Sequence, residues 1–267
     1  MKLYIQAVCS VGKVRTNNED MISVGGVLLR DDSLEITVDV PEKDGLFYLL
    51  VSDGMGGHEM GEFASEYTLS QLKEFFDSGD FGTDFPDALR EKVKVISDNL
   101  NAMAAARGME RPWGCTLTGY IWAYGKVYVV NAGDSRTYRY RDDILRQLTV
   151  DENERGMTHS GEGSKLLLNC IGGGSYGRLV VQDMSGKVLK GDKLLVCSDG
   201  LTDMVEEWQI EEELSFDRSH PADDLLEDAE YKGGADNISI IVAKIDEPFP
   251  PEEEDFPDEN PAWDPYV

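Results

Sequence analysis

Histidine is nearly missing from this chain: 267 residues carry three, against 52 Asp and Glu. Cysteine is almost as rare. The four present (Cys9, Cys115, Cys170, Cys197) are scattered, form no Cys-x-x-Cys pair and sit in no nucleophile motif. They read as reduced, buried thiols of a cytoplasmic protein. No apolar run approaches the length of a membrane span, and the N-terminus lacks a signal-peptide pattern, so no membrane partner is expected. Basic residues number 25, giving a net charge of −27 that argues against nucleic acid and anionic membrane surfaces. The same charge opposes any phosphate-binding site unless local positive charge is supplied. No EF-hand loop is present, which sets aside a calcium-buffer reading.

What the chain does have is acids at the ends of apolar runs. Phe47-Tyr48-Leu49-Leu50-Val51 ends in Ser52-Asp53-Gly54, and Leu194-Leu195-Val196-Cys197 ends in Ser198-Asp199-Gly200. Each reads as a buried strand that delivers a carboxylate to its edge. The first is followed by a glycine-rich turn and a helical pattern over about 58–77, not by a second strand, so Asp53-Gly54 is more than a hairpin reversal. Asp134 follows an apolar run in Gly133-Asp134-Ser135-Arg136, and Asp236 precedes the run beginning Asn237-Ile238. Acids collected in this way, with few histidines to accompany them, point to hard divalent cations held through oxygen.

In order, the pattern predicts strands at 3–12 and about 21–29, an arm at 31–45, and helices over about 58–77 and 85–103. Strands joined by tight turns follow at 115–124, 126–132, 136–141 and 144–148, implying antiparallel pairing. A short helix near 165–169 is expected, then strands at 179–184 and 193–197, helices around 205–214 and 221–231, and a strand at 238–245. Strand and helix runs are segregated, which favours α+β over a doubly wound sheet. No linker divides residues 1–245, read as one catalytic domain. Residues 246–267 hold six of the ten prolines and nine acids without a Lys or Arg, and read as a disordered, solvating tail.

Arg15 with Asn18-Glu19-Asp20, Asp53-Gly54-Met55-Gly56-Gly57-His58, Gly133-Asp134-Ser135-Arg136, Ser198-Asp199-Gly200 and Gly234-Ala235-Asp236-Asn237 together resemble the type 2C metal-dependent Ser/Thr protein phosphatases, bacterial branch. Each motif is weak alone; five in the family's order over residues 3–245 are specific. The resemblance implies an α-β-β-α sandwich of two antiparallel sheets, with two Mn²⁺ or Mg²⁺ ions at one edge. Asp53 would bridge the ions, the Gly54 carbonyl would bind one, and Asp199 and Asp236 would hold the other. Glu19 and Asp20 would order metal-bound waters. Arg15 would grip the substrate phosphate, with a plain salt bridge to those same acids as the alternative. A metal-activated water would hydrolyse phosphoserine and phosphothreonine in proteins, with a cognate Ser/Thr kinase or its targets as partners and the chain a monomer.

Three departures from the family stand out. Met55 occupies the place of a histidine proposed in many eukaryotic members to protonate the leaving group, with His58 three residues on. Arg111, beside Glu110, stands three residues before Gly114, where an Asp for a third ion is sought, so two ions are expected. The segment after Asp151 is shorter than the usual flap. A phosphatase-like module that binds metal or phosphoprotein without turnover is the rival reading. Asp134 and Arg136 are read as turn and scaffold residues, and His159 and His220 as loop histidines.

Overall fold

The computed structural model describes residues 1–41, 43, 45–56, 59–79, 81, 84–108, 113–157, 164, 166–174, 177–247, 249 and 250. The chain opens with strands β1 (Lys2–Ser10), β2 (Met21–Val24), β3 (Val27–Leu29), β4 (Asp32–Asp39), β5 (Leu46–Ser52) and β6 (Gly54–Met55). Helices α1 (Glu59–Ser78) and α2 (Phe85–Ala106) lead to β7 (Gly114–Cys115), β8 (Leu117–Ala123), β9 (Lys126–Ala132), β10 (Arg136–Arg141) and β11 (Ile144–Gln147). The last part holds α3 (Glu154–Met157), β12 (Ile171–Gly172), β13 (Val180–Asp183), β14 (Lys193–Cys197), α4 (Asp199–Thr202), α5 (Glu207–Ser215), α6 (Pro221–Tyr231) and β15 (Ile238–Ile245).

Two six-stranded antiparallel sheets, ordered β11-β10-β14-β15-β1-β4 and β13-β9-β8-β5-β2-β3, pack face to face. Strand period explains the layering. Phe47, Leu49 and Val51 of β5 enter the core between the sheets, while Tyr48 and Leu50 turn outward beneath α1 and α2. In β15, Ile241, Ala243 and Ile245 join the inner core, and Ile238, Ile240 and Val242 pack under α5 and α6. Strands covered on both faces must be apolar on both, which is why these two runs are nearly continuous. The result is the α-β-β-α sandwich.

Two local expectations change. The stretch at 21–29 is a hairpin, β2 pairing with β3, because Gly25 and Gly26 both take positive φ (55° and 93°) as a primed two-residue turn requires. The described residues of 165–169 are not helical; Leu167 bridges Asn153, and the helical turn falls earlier, at α3. Of the tail read from sequence as disordered, 246–267, residues 248 and 251–267 lie outside the described residues, while Asp246 N donates to the Lys2 carbonyl and Phe249 packs against the core beneath α5 and α6.

Candidate active site

Antiparallel register gathers the acids. Met21 faces Ser52, Cys197 faces Ile240, and Ser10 faces Ile238, so the residues just beyond these pairs meet at one edge of the sandwich. Asp53 follows β5, Asp20 precedes β2, Asp199 follows β14 and Asp236 lies just before β15. Two sheets thus contribute two acids each.

The backbone at each position is fixed by neighbours. Asp53 N donates to Thr116 Oγ1 at 3.0 Å, and Thr116 N donates to the Asp53 carbonyl at 2.8 Å. Gly54 N donates to the Glu19 carbonyl, and a Cβ on Gly54 would stand 2.2 Å from the Gly61 carbonyl oxygen, so only glycine lets the turn close against α1. Across the site Ser198 Oγ accepts from Ser239 N, while Ser198 N donates to the Ser239 carbonyl. There a Cβ on Gly200 would lie 1.9 Å from the Asn237 carbonyl oxygen.

Arg15, Glu19, Asp53, Gly54, Asp199 and Asp236 all border one cavity of about 310 Å³. Asp20 does not. It is buried behind Asp53, where its Oδ2 accepts from Ser239 Oγ at 2.7 Å, and its Oδ1, beside Ser198, has no hydrogen bond of good geometry. Arg15 donates to Asp236 Oδ2 at 2.7 Å, so the guanidinium pairs with an acid of the opposite chain end, not with its neighbours Glu19 and Asp20.

Electrostatics at the cavity are strained. Burial first, and then the charges of Asp20, Asp199, Asp134 and Asp236, hold the Asp53 carboxyl well above the usual carboxylate range. Burial, then Asp134 and Asp203, push Asp199 up to about 7, and burial raises Asp20 to about 6 despite hydrogen bonds that favour its charged form. Carboxylates so placed call for a cation. Every donor is a hard oxygen, which fits Mn²⁺ or Mg²⁺. Among the described residues no three acidic, His or Cys side chains close into a compact cage. The acids instead line an open cavity with room for several waters, consistent with ions that keep part of their hydration shell.

Three residues contribute more than their sequence positions announced. Asn237 donates from Nδ2 to the Val11 and Asn17 carbonyls, both at 3.0 Å, and accepts from Glu19 N at 2.8 Å. One amide therefore pins the segment carrying Arg15 and Glu19; its place beside Asp236 was the only sequence signal. Asp134, read as a turn residue, borders the cavity, with burial raising its carboxyl and Asn153 Nδ2 donating to it at 2.9 Å. Thr116 fastens Asp53. Arg136 does serve as scaffold, clamping Asp151 through Nε and Nη2 at 2.7–3.0 Å. Met55 lines the cavity, whereas His58, Glu110, Arg111 and His159 lie outside the described residues.

A family model, protein phosphatase 2C, matches residues 26–226. The serine/threonine phosphatase stp of Listeria monocytogenes is 31% identical over 251 residues, spanning 88% of this chain and 93% of that protein. Among solved structures, PppA, described as a key regulatory component of T6SS in Pseudomonas aeruginosa, is similar with a TM-score of 0.72 at 26% identity, covering 91% of this chain and 97% of that one. The catalytic domain of the serine/threonine protein phosphatase PstP, solved with two manganese ions, has a TM-score of 0.70 at 29% identity, covering 91% and 99%. The chain belongs to the protein phosphatase 2C family. Among its described residues no helix is long and apolar enough to cross a membrane.

Proposed function

We propose that this chain is a Mn²⁺- or Mg²⁺-dependent protein phosphatase that hydrolyses phosphoserine and phosphothreonine esters at the cavity ringed by Asp53, Asp199 and Asp236. The observation that carries the reading is the meeting of acids from both sheets at one sandwich edge, with the Asp53 and Asp199 carboxyls raised by burial and by neighbouring charges. Asp53, between the two sheets' contributions, would be the carboxylate shared by the ions, with Asp199, Asp236 and the Gly54 carbonyl as the other protein groups that would hold them. Glu19 would orient water around them. When bound, a pair of such ions acidifies a water and offsets the charge of the phosphoryl oxygens. Arg15, now paired with Asp236, swings its planar guanidinium to the substrate phosphate, exchanging one oxyanion partner for another. Asp134 supplies a further oxygen beside Asp199.

The partners on this reading are phosphorylated proteins, and a Ser/Thr kinase is the enzyme class whose products it reverses. The test is Mn²⁺-titrated release of phosphate from a phosphopeptide, with thermal stabilisation by Mn²⁺ recorded alongside. Activity and stabilisation both lost in Asp53→Asn and Asp199→Asn support the assignment. Stabilisation without turnover in the wild-type chain would favour the binding-module alternative.

A further inference from the structure

A second cavity, about 490 Å³, adjoins the first, sharing Asp134 and Asp199 with it. The far wall is the start of α5, and it is rigidly held. Ile210 and Leu214 of that helix are buried in the core under the outer sheet, and Glu207 Oε1 accepts from Arg136 Nη1 at 3.3 Å and Tyr138 OH at 3.0 Å. Arg136 begins β10, two residues after Asp134. Helix and reaction cavity are therefore parts of one fixed frame.

On that wall stands Trp208, 64% exposed. Folding gains little from an indole left in water on the first turn of a well-anchored helix, whereas a rigid, two-torsion aromatic is an efficient contact for a partner. The rest of the wall sets the partner's chemistry. Exposed Asp203 and Glu206 flank the ring, and the cavity's only cation, among the described residues, is Arg136, already committed to Asp151 and Glu207.

We infer that Trp208 is a specificity-determining residue of the phosphatase site, stacking against a Lys or Arg side chain that flanks the phosphoresidue. The inference rests on the phosphatase reading above and names its substrate class: phosphoproteins with a basic residue beside the phosphate. An indole face with carboxylates around it attracts a cation both through its quadrupole and through the local field, so an ammonium or guanidinium is the side chain that fits this wall.

The experiment uses the full chain with Mn²⁺, p-nitrophenyl phosphate, and two phosphothreonine peptides that differ only in flanking Lys/Arg against Gln. The ratio of kcat/KM between the peptides is read within each of wild type, Trp208→Ala and Trp208→Phe. The expected wild-type ratio is about five- to tenfold for the basic peptide, carried in KM. It falls toward unity in Trp208→Ala and is partly kept in Trp208→Phe, which preserves a ring. Wild-type turnover of p-nitrophenyl phosphate with a ratio near unity, or an undiminished ratio in Trp208→Ala, overturns this inference alone. Failure of the wild type to hydrolyse any of the three esters overturns the phosphatase reading and this inference with it.

Discussion

The tripeptide Ser-Asp-Gly occurs at two strand ends of this molecule, and the two copies are held in different ways. After β5, Asp53 is tied through both of its peptide groups to Thr116, while Gly54 is pressed against Glu19 and the start of a twenty-residue helix. After β14, Ser198 binds Ser239 across the sheet, Asp199 starts the four-residue α4, and Gly200 sits against the Asn237 carbonyl. The first copy is anchored by the side chain and backbone of Thr116, between β7 and β8; the second is an extension of the β14–β15 ladder. Asp53 lies between acids of both sheets and feels four of them, and Asp199 feels a partly different set that includes Asp203. The same three residues therefore yield one acid at the centre of the cluster and one at its border with the second cavity.

The sharpest way to break that comparison is to neutralise each acid in turn. Asp53→Asn is expected to lower Mn²⁺-dependent kcat/KM by about 10³-fold or more and Asp199→Asn by about 10²-fold, of the order seen when one charge-stabilising group is removed. Equal losses, measured at saturating Mn²⁺, would mean that Asp53 holds no special place.

The glycines come next. Gly200→Ala and Gly54→Ala each force a methyl into a backbone carbonyl, and each should cost about 2–3 kcal/mol in denaturant unfolding. Gly200→Ala is expected to be the worse, having the shorter approach.

Stability against pH separates the copies in the chelated protein. Both carboxyls have folded pKa values raised above their unfolded ones, so their charged forms oppose folding. Their cost is absent below about pH 4 and grows as pH rises through about 7, where Asp199 titrates. In EDTA the melting temperature should therefore fall between pH 5 and pH 8. Asp199→Asn should melt higher than wild type at pH 8 and flatten that slope, while Mn²⁺ should raise the wild type only. A lower melting temperature for Asp199→Asn in EDTA would contradict the assigned repulsion.

Asn237→Ala removes three hydrogen bonds from the segment bearing Arg15 and should cost about 1–3 kcal/mol. The smallest effect is expected for Arg15→Ala: an increase of about three- to tenfold in KM for a phosphopeptide, with kcat nearly kept.

Much of the frame was legible because it repeats. β5 and β15 are long apolar runs closed by acids, and α1, α2 and α6 keep helical spacing over three turns or more. Short elements were not legible. Gly25-Gly26 turns a stretch that reads as one strand into a hairpin, and α3 and α4, four residues each, carry too few apolar positions to show a period. The candidate site followed the same rule. Residues in the Asp-Gly motifs were visible, whereas Asp134 and Asn237 gained their roles from contacts with Asn153, Val11 and Asn17, far from them in sequence.

The amino-acid sequence alone determined which strands are buried on both faces and that β5, β14 and β15 among them carry an acid at an end, because burial and alternation are written in consecutive residues. Only the tertiary structure decided that these acids share a cavity, that Asp20 stands behind it and not in it, and that a second cavity with Trp208 on its wall continues from the first. Convergence is set by register between strands and by packing between sheets, and those link residues from about thirty to more than two hundred positions apart that no local pattern connects.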